Sequence, residues 1–477
     1  MKKYVFSIFA ILAVISCTVE PLEPFNEGDL PQSSTVGPIV FDLQANHPDI
    51  QTKAVKSGWE AGDAIFVFFN KAQAPKFLKM SYDGSAWTTS EFNGDTATPG
   101  ALGLSNGDSG TMRAVFLPFG SDATVSASGT NFVFNKTYYA YYLTATLDYT
   151  VINNRVSGAF DMAVPDNYVQ FFVEDAGAVD EAYSLGCDAV IPVGVASISA
   201  NGTVNETTGK TAADDMPGYA YSVGYLFSGK LGSWGYGQSY YFAKTKADGT
   251  ERHDYFVTGK TLASHSSVKL PANGDSKWQA VGNDKLVQLT YEGSDSNLWW
   301  NTCNYGQSVP ESLGSFYKFD AANSIDGVTL PSKDQYAAIE SNCKWTIISI
   351  HGHWGFVIKS DTGFLFLPGE GSESYYWTST EHWSDQGYSY DIKKNGNHFG
   401  NYYTRQYEFA VRPVLNYGSV TFNAGTVEEG DSGTMVKNGI TVTGISNVEN
   451  ASYYETYGIT VSAEAGKLIR SITITCT

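Results

Sequence analysis

Aromatic and polar side chains suited to ligand binding are concentrated between residues 370 and 405. Ring faces stack on the apolar faces of sugars and on other apolar surfaces, and nearby carboxylate, imidazole and guanidinium groups can orient hydroxyl groups. The polar stretch EHWSDQGYS predicts exposed rings, whereas Trp377, inside the block YYWTST, is expected to lie in the core. The candidate ligand-binding residues are Glu370, His382, Trp383, Asp385, Tyr388 and Arg405.

A second feature that could do chemistry is the pair His351 and His353. Alternate residues of a strand point to one face, so two imidazoles there can share a metal ion. No third ligand follows at a recognisable spacing, so a loop with two ordinary histidines is favoured, and no metal or other cofactor is predicted. The chain contains no H-E-x-x-H motif and no phosphate-binding loop motif. We therefore predict that it is not an enzyme.

Five cysteines are spread along the chain, and none forms a C-x-x-C pair. Zinc ribbons and redox motifs are therefore not supported. Cys303 and Cys343 lie in one segment and could form a disulfide in an oxidising compartment. Two buried free thiols are an equal alternative, because sequence alone does not give the distance between the two Cα atoms.

The N-terminus predicts export. Two lysines precede an apolar run that is too short to span a bilayer, and Ser16-Cys17 follows. A small residue before a cysteine at this point resembles the lipobox of bacterial lipoproteins, which implies a signal peptide over residues 1–17 and acylation of Cys17. An ordinary cleaved signal peptide is the alternative. Residues 18–38 are acidic and contain prolines, which predicts a linker to the first domain.

The composition bounds both fold class and partners. The 477-residue chain has a formal net charge of -19 at pH 7, from 49 acidic and 30 basic residues. Such an acidic surface disfavours nucleic acid, whose phosphates require clustered lysine and arginine. Aromatic residues make up 14% of the sequence and glycine occurs 48 times, a composition typical of β-rich, turn-rich proteins. We therefore expect a mainly β protein, and the lipobox resemblance implies that it is exposed on the outer membrane of a Gram-negative bacterium.

Strand signals recur along the chain, separated by turns. The stretch GWEAGDAIFVFF has an Ala-Gly-Asp turn before an unbroken apolar run, which predicts a buried strand. Hairpin turns are predicted at Asp83-Gly84, Asp248-Gly249 and Asn395-Gly396, because glycine accepts positive φ. One helix is predicted to begin after Ser332, which forms a capping box with Gln335. The residues expected on its buried face are Tyr336, Ile339 and Cys343.

The first strands carry a family resemblance. The residues concerned are IVFDLQ, then Thr52-Lys53-Ala54, then Trp59, Gly62, Asp63, Ile65, Val67 and Phe68. They resemble the N-terminal domain of fimbrillins, the pilus subunits that Gram-negative anaerobes make from lipoproteins, and the resemblance extends more weakly to residue 285. It implies that a protease removes the first strand and that the groove then accepts a strand of the next subunit. The candidate cleavage sites are Lys53 and Lys56, with ordinary exposed loop lysines as the alternative.

A second resemblance covers residues 298–415. Its blocks, in order, are LWWNTCNYG, PE, LPS, NCKW, GFLFLP, YYWTST and VRPV. They are similar to the FISUMP-type domain of surface lipoproteins, which is related to C-type-lectin-like and formylglycine-generating-enzyme-like folds. The calcium-binding triplets of sugar-binding C-type lectins are absent from the sequence, and the cysteines lie in scaffold blocks. The resemblance therefore implies the fold without either activity.

The predicted architecture is a pair of tandem fimbrillin-type β-sandwiches followed by a C-type-lectin-like α+β domain and a short β tail. The predicted bounds are 39–160 and 161–285 for the sandwiches, 286–415 for the C-type-lectin-like domain and 416–477 for the β-rich tail, which could be a truncated module.

The leading functional hypothesis is a fimbrial tip or accessory subunit that acts as an adhesin through its lectin-like head. The expected partners are other fimbrial subunits, a glycan or protein of a host or bacterial surface, and the outer membrane through the lipid of the precursor. The processed protein would belong to the fimbrium. The alternative is a surface glycan-binding lipoprotein that never polymerises.

Overall fold

Strands dominate the fold. The computed structural model describes residues 39–47, 58–69, 77–92, 102–117, 125–128, 131–138, 142–177, 183–199, 202–207, 209–221, 223–294 and 298–421, and the strand backbones at 433–437, 440–445, 460–463 and 467–473. The predicted mainly β fold is confirmed, since the helices in these ranges are few and short. None of the helices described is both long and apolar enough for a membrane span.

Residues 39–161 contain the first group of strands. These are β1 (Val40–Asn46), β2 (Ala64–Phe69), β3 (Phe77–Tyr82), β4 (Trp87–Phe92), β5 (Ser109–Phe116), β6 (Val125–Ser128), β7 (Asn131–Tyr138), β8 (Leu143–Thr150) and β9 (Arg155–Asp161). The order β4-β3-β2-β5-β8 puts β2 at the centre of a sheet. Ile65, Val67 and Phe69 face one apolar cluster, and Phe66 and Phe68 face another. Because both faces are covered, the predicted buried strand carries an unbroken apolar run.

β1 is a peripheral strand. Among the described strands it pairs only with β9, in parallel and with all seven residues in register. Leu43 and Ala45 alternate with exposed residues and point into the apolar cluster beneath the sheet, and Ile39 just before the strand does the same. One face of β1 is therefore part of the core, while one of its backbone edges has no partner strand in the described part of the chain.

A second group of strands spans residues 168–281. These are β10 (Tyr168–Glu174), β11 (Tyr183–Gly186), β12 (Val190–Ile191), β13 (Val195–Ser199), β14 (Val204–Glu206), β15 (Met216–Pro217), β16 (Tyr219–Tyr221), β17 (Gly224–Leu231), β18 (Ser239–Lys246), β19 (Arg252–Thr258), β20 (Ser266–Lys269) and β21 (Gln279–Val281). The sheets β12-β17-β10-β20 and β15-β11-β18-β19-β21 pack around one apolar cluster, and we call this pair the central sandwich. β13 and β14 instead join β7 and β6, so that sheet crosses the predicted boundary after residue 160.

The remaining elements follow residue 285. They are β22 (Leu286–Val287), β23 (Leu298–Asn301), β24 (Tyr317–Lys318), α1 (Phe319–Asn323), α2 (Lys333–Asn342), β25 (Lys344–Ile350), β26 (His353–Lys359), β27 (Phe364–Pro368), β28 (Glu373–Trp383), β29 (Gln386–Lys393), β30 (His398–Thr404), β31 (Glu408–Phe409), β32 (Val414–Thr421), β33 (Gly433–Lys437), β34 (Ile440–Ile445), β35 (Thr460–Ala463) and β36 (Lys467–Thr473). We call residues 298–415 the head. Its sheets β25-β26-β27 and β28-β29-β30 are both meanders, and β36 pairs in parallel with β32.

The predicted helix is confirmed as α2. Ser332 Oγ accepts a hydrogen bond from the Gln335 backbone N–H, and Gln335 Oε1 accepts one from the Ser332 backbone N–H, which is the predicted capping box. Tyr336 and Ile339 are buried as expected. Cys343 packs half-buried against the same apolar cluster as Tyr336 and Ile339, but it does so from extended backbone at the end of the helix. The five-residue helix α1 was not predicted, because it is too short for a periodic signal.

Candidate functional site

A group of exposed and half-buried rings lies at one end of the sheet β28-β29-β30. We name the group formed by His382, Trp383, Tyr388 and Tyr402 the aromatic patch. The imidazole of His382 stacks on the indole of Trp383, with ring centres 4.6 Å apart, and on the ring of Tyr402, at 4.3 Å. Tyr388 meets His382 edge-on at 4.9 Å. The side chain of Trp383 is 63% exposed and that of Tyr402 is 47% exposed.

The hairpin register places these rings together. Tyr388 on β29 lies directly opposite Tyr402 on β30. Because alternate residues share a face, Tyr390 lies on the same side, where it is buried and stacks on Tyr336 of α2 at 4.6 Å. The sheet therefore continues beyond the helix that covers it, and its uncovered end carries the aromatic patch.

Lys333 contacts a ring of the patch, and Arg405 forms ion pairs beside it. Lys333, the first residue of α2, places its ammonium nitrogen 4.7 Å from the centre of the Tyr388 ring. Arg405 donates from Nη1 to Asp320 Oδ1 at 2.8 Å and forms an ion pair from Nη2 to Glu381 Oε1 at 2.9 Å. Its backbone N–H donates to the Asp385 carbonyl at 3.0 Å. Arg405 thus holds the β28–β29 turn in place, and both of its terminal nitrogens are engaged.

The structure brings most of the predicted ligand-binding residues together and separates one. His382 and Trp383 lie at the end of β28, and Tyr388 lies on β29. Arg405 directly follows β30, and Asp385 lies exposed in the turn between β28 and β29. Glu370 precedes the other end of this eleven-residue strand, where its backbone N–H donates to Ser374 Oγ. At about 3.3 Å per residue the two ends of β28 are roughly 30 Å apart. Glu370 is therefore not part of the aromatic patch.

Sequence reasoning did not select Tyr402, although a local signal for it exists. The predicted turn at Asn395-Gly396 is confirmed, with the Lys393 backbone N–H donating to the Asn397 carbonyl at 2.8 Å. Counting outward from that turn pairs Tyr388 with Tyr402. Lys333 and Asp320 could not be found in this way, because their elements are not neighbours of β29 in the chain. Trp377 is fully buried, as expected.

The predicted histidine loop contains a hairpin turn. Ile350 and His353 pair across the ends of β25 and β26, and His351 and Gly352 between them both have positive φ, at 51° and 79°. This is the geometry of a two-residue type I′ turn. His353 is exposed, whereas the side chain of His351 is largely buried.

Two carboxylates bind His351. Its Nδ1 lies 2.6 Å from Glu311 Oε1 and its Nε2 lies 2.7 Å from Asp215 Oδ1. Burial by itself would lower the pKa of His351, but the hydrogen bonds to Asp215 and Glu311 outweigh it and raise the pKa to about 10. A doubly protonated imidazole cannot bind a metal. In the part of the chain that the structure describes, no group of three or more His, Cys, Asp or Glu side chains could hold a metal ion.

A buried ionic network continues from Glu311 into the central sandwich. Arg252 donates from Nη1 to both Glu311 oxygens at 2.8 Å, and from Nε to Asp254 Oδ1 at 2.7 Å. Tyr241 donates to Asp254 Oδ2 at 2.5 Å. Burial raises the pKa of Glu311, but His351 and Arg252 together lower it to about 2. This network joins residues on both sides of the predicted boundary at 285.

The remaining predicted site residues are the cysteines and the two lysines near the N-terminus. Cys303 and Cys343 are free thiols in the structure, so the disulfide alternative is not the one observed. Cys303 is fully buried beside Thr302 Oγ1, and Cys343 is half-buried at the end of α2. Cys17, Lys53 and Lys56 lie outside the described residues. Their predicted roles in lipidation and cleavage remain predictions.

Comparison with known proteins gives structural neighbours but no sequence relative. No family model matches the chain, and no curated protein matches it. A candidate cell adhesion protein from Bacteroides ovatus is 13% identical, with 51% of this chain and 95% of that chain covered and a TM-score of 0.29. The fimbrial anchor protein Mfa2 from Porphyromonas gingivalis is 11% identical, with coverages of 51% and 95% and a TM-score of 0.24.

A third neighbour covers more of the chain. It is a fimbrial protein from Bacteroides ovatus, 10% identical, with 79% of this chain and 99% of that chain covered and a TM-score of 0.23. All three are fimbrial or adhesion proteins by their descriptions. Identities and TM-scores at this level do not carry an inference about what this chain binds.

Proposed function

We propose that this chain is a surface adhesin, a fimbrial tip or accessory subunit whose head binds a glycan or protein through the aromatic patch. The observation that carries the proposal is the exposure of the Trp383 and Tyr402 rings, which stack on either side of His382 at the end of the sheet β28-β29-β30. Leaving such rings in water has a free-energy cost that ligand binding would relieve.

The patch is preorganised for binding. Arg405 ties Asp320 and Glu381 together beside the rings, and Lys333 holds Tyr388 from the start of α2. Because these contacts are made within the protein itself, binding would order few additional side chains and would retain most of its free energy. Flat rings flanked by charged groups fit a sugar ring with its hydroxyls at the rim, or an apolar protein surface with a polar border.

Substitution of Trp383 tests the binding role. Trp383→Ala is expected to weaken binding to ligands found on a glycan array by about thirtyfold, since a central aromatic anchor contributes on the order of 2 kcal/mol. The matched control is Tyr407→Ala, because Tyr407 is 56% exposed but stacks on Phe409 outside the patch. Equal binding by Trp383→Ala and the native protein would contradict the proposal that the aromatic patch is the binding site.

Assembly by strand exchange is the second part of the proposal, and β1 supports it. Among the strands that the structure describes, β1 pairs with β9 alone, and its Leu43 and Ala45 side chains lie in the core. Cleavage at Lys53 or Lys56, between β1 and β2, would release that strand and open a groove along β9. An extended strand of another subunit with alternating apolar residues could then pair with β9.

Mass spectrometry of the protein from the cell surface tests this assembly. A cleaved subunit would begin near Ala54 or Ser57 and would lack Cys17, and the double variant Lys53→Ala, Lys56→Ala would keep its full N-terminal segment. An acylated Cys17 retained in all of the surface protein would contradict strand exchange. That outcome would favour the alternative, a glycan-binding lipoprotein that does not polymerise.

A further inference from the structure

A buried lysine lies in the core of the central sandwich. Lys244 of β18 is 1% exposed, and its side chain shares a face of the strand with the core residues Tyr240 and Phe242. Its ammonium nitrogen lies 4.8 Å from the centre of a Trp278 ring and 5.0 Å from that of the Tyr183 ring. Lysine is rarely buried to this extent without an ionic partner.

The hydrogen-bond partner of Lys244 is an amide instead of a carboxylate. Lys244 Nζ donates to Asn273 Oδ1, and Asn273 Nδ2 donates to Asp175 Oδ2 at 2.8 Å. An ionised carboxylate only accepts hydrogen bonds, so the amide NH₂ faces Asp175 and its carbonyl faces the lysine. The Lys244 amine therefore contacts the Asn273 amide, and the Asn273 amide contacts the Asp175 carboxylate.

The surroundings favour a reactive amine. Burial lowers the pKa of Lys244 to about 8, against a smaller opposite effect of Glu251 and Asp175. With this pKa, roughly one side chain in ten carries a neutral amine at pH 7, compared with fewer than about one in a thousand for an ordinary lysine. The neutral amine is the nucleophilic form of lysine.

We propose that Lys244 and Asn273 are joined by an intramolecular isopeptide bond between Nζ and Cγ, formed in the folded chain with Asp175 as the acid–base residue. The fold holds the reacting groups in contact, and such placement gives effective concentrations far above those of free reactants. The proposal does not depend on what the head binds.

The reaction balances without an external reagent. The Lys244 ammonium gives a proton to solvent, and the neutral Nζ attacks Asn273 Cγ to form a tetrahedral intermediate. Nζ then gives a second proton to solvent, while Asp175, which contacts Nδ2, takes up a proton from solvent and passes it to Nδ2. The Cγ–Nδ2 bond breaks, ammonia leaves and takes up the remaining proton as ammonium, and Nζ–Cγ is left as a neutral amide. No atom is oxidised or reduced.

The bond would connect the two sheets of the central sandwich. Lys244 lies in β18 of one sheet, while Asp175 and Asn273 follow β10 and β20 of the other. The Asn273 backbone N–H donates to the Glu174 carbonyl at 2.7 Å, which fixes its loop at the end of β10. A covalent link here would oppose separation of the sheets. It would also lower the conformational entropy of the unfolded chain and so stabilise the folded state.

Intact mass and peptide mapping of the purified full chain test the proposal. The native protein should have a mass about 17 Da below that of its sequence, equal to one ammonia. Fragmentation of a protease digest should give a branched peptide that contains both residues 244 and 273, and trypsin should not cleave after Lys244. The full unmodified mass, together with separate linear peptides for the two residues, would overturn the proposal.

Substitutions distinguish the isopeptide bond from a cyclic imide at Asn273, which would give the same loss of mass. Asn273 precedes Gly274, and an Asn-Gly sequence can also lose ammonia by attack of its own backbone, without a lysine. Lys244→Arg should restore the full mass if the isopeptide is correct, whereas a mass deficit that persists in Lys244→Arg would overturn it. Asp175→Asn should slow or prevent bond formation, and complete cross-linking in that variant would overturn the acid–base role.

A second lysine provides the matched control. Lys230 contacts the Tyr168 ring, with its ammonium nitrogen 5.7 Å from the ring centre, but its ion-pair partner is Glu206 and not an amide. Lys230→Arg should keep both the mass deficit and the branched peptide. Loss of the deficit in this variant would show that the cross-link is not specific to Lys244 and would contradict the proposal.

Discussion

His351 shows how much one side chain can depend on distant parts of the chain. It occupies the first position of a two-residue turn with a φ of 51°, a strained conformation that persists only where surrounding contacts hold it. Asp215 and Glu311 supply those contacts. Gly186 is close enough that a Cβ there would lie 2.4 Å from His351 Nε2, so only glycine leaves room for the imidazole.

The charge of His351 predicts a pH dependence of stability. Its pKa rises from 6.5 to about 10 on folding, so its contribution is complete below pH 6.5 and is lost as the pH rises toward 10. The pKa of Glu311 falls from 4.5 to about 2, so its contribution is complete above pH 4.5 and is lost as the pH falls toward 2. Urea unfolding should therefore show a free energy of unfolding that decreases from pH 7 to 10.

His351→Asn separates this charge from the turn geometry. Asparagine tolerates positive φ, so the variant keeps the turn but removes the cation between two carboxylates. We expect a loss of about 3–5 kcal/mol at pH 6, as for other broken buried ion pairs, and a flatter profile from pH 7 to 10. His353→Asn, at the exposed histidine of the same turn, should behave like the native protein. An unchanged pH profile in His351→Asn would refute the ionic role.

At the scale of elements, the aromatic patch depends on a sheet that extends past its covering helix. α2 packs on the middle of β29 through the stacked Tyr336 and Tyr390 rings. Its first turn is tied to β28 by a hydrogen bond of 3.0 Å from the Lys333 backbone N–H to Thr380 Oγ1. The position at which α2 begins therefore determines where the covered part of the sheet ends and the exposed patch starts.

Removal of the helix cap tests whether Ser332 stabilises the start of α2. Ser332→Ala deletes the hydroxyl that accepts from the Gln335 backbone N–H and should lower the free energy of unfolding by about 1 kcal/mol. Ser341→Ala, at an exposed position within the same helix, should be neutral or slightly stabilising, because alanine has the higher helix propensity. Urea unfolding measures both, and equal effects would show that the cap is not what stabilises α2.

At the scale of the whole molecule, the head and the central sandwich share a core. Tyr241 and Phe256 of the sandwich form one apolar cluster with Ile348 and Ile350 of β25 and Phe366 of β27. The ionic network from His351 to Asp254 runs beside this cluster. Residues Ile39–Thr477 accordingly form one compact unit, and we expect the head and the sandwich to unfold together.

A cavity in the shared core tests this coupling. Phe366 is buried with its ring centre 5.4 Å from that of Tyr241, and Phe366→Ala should lower the free energy of unfolding by about 3–5 kcal/mol. Amide hydrogen exchange should then accelerate in β18 as well as in β27. Phe316→Ala, at a 45% exposed ring, should change little. Acceleration confined to β27 would mean that the two parts unfold separately.

Features of this protein that arise between neighbours in the chain could be predicted from its residues alone. The buried strand β2, the capping box of α2 and the turn at Asn395-Gly396 were predictable, because residue alternation, capping and turn chemistry act over a few positions. The exposed Trp383 followed from its polar neighbours in the same way. The mainly β fold class was likewise predictable, from the composition.

Contacts between side chains that are distant in sequence became known only from the tertiary structure. His351 and Asp215 are 136 positions apart, and Asn273 and Asp175 are 98 apart. Such contacts depend on strand order and on which sheets face each other, and no local pattern encodes either. Glu370 is near the patch in sequence but distant from it in space. An extended strand, β28, lies between them and separates its two ends by its full length.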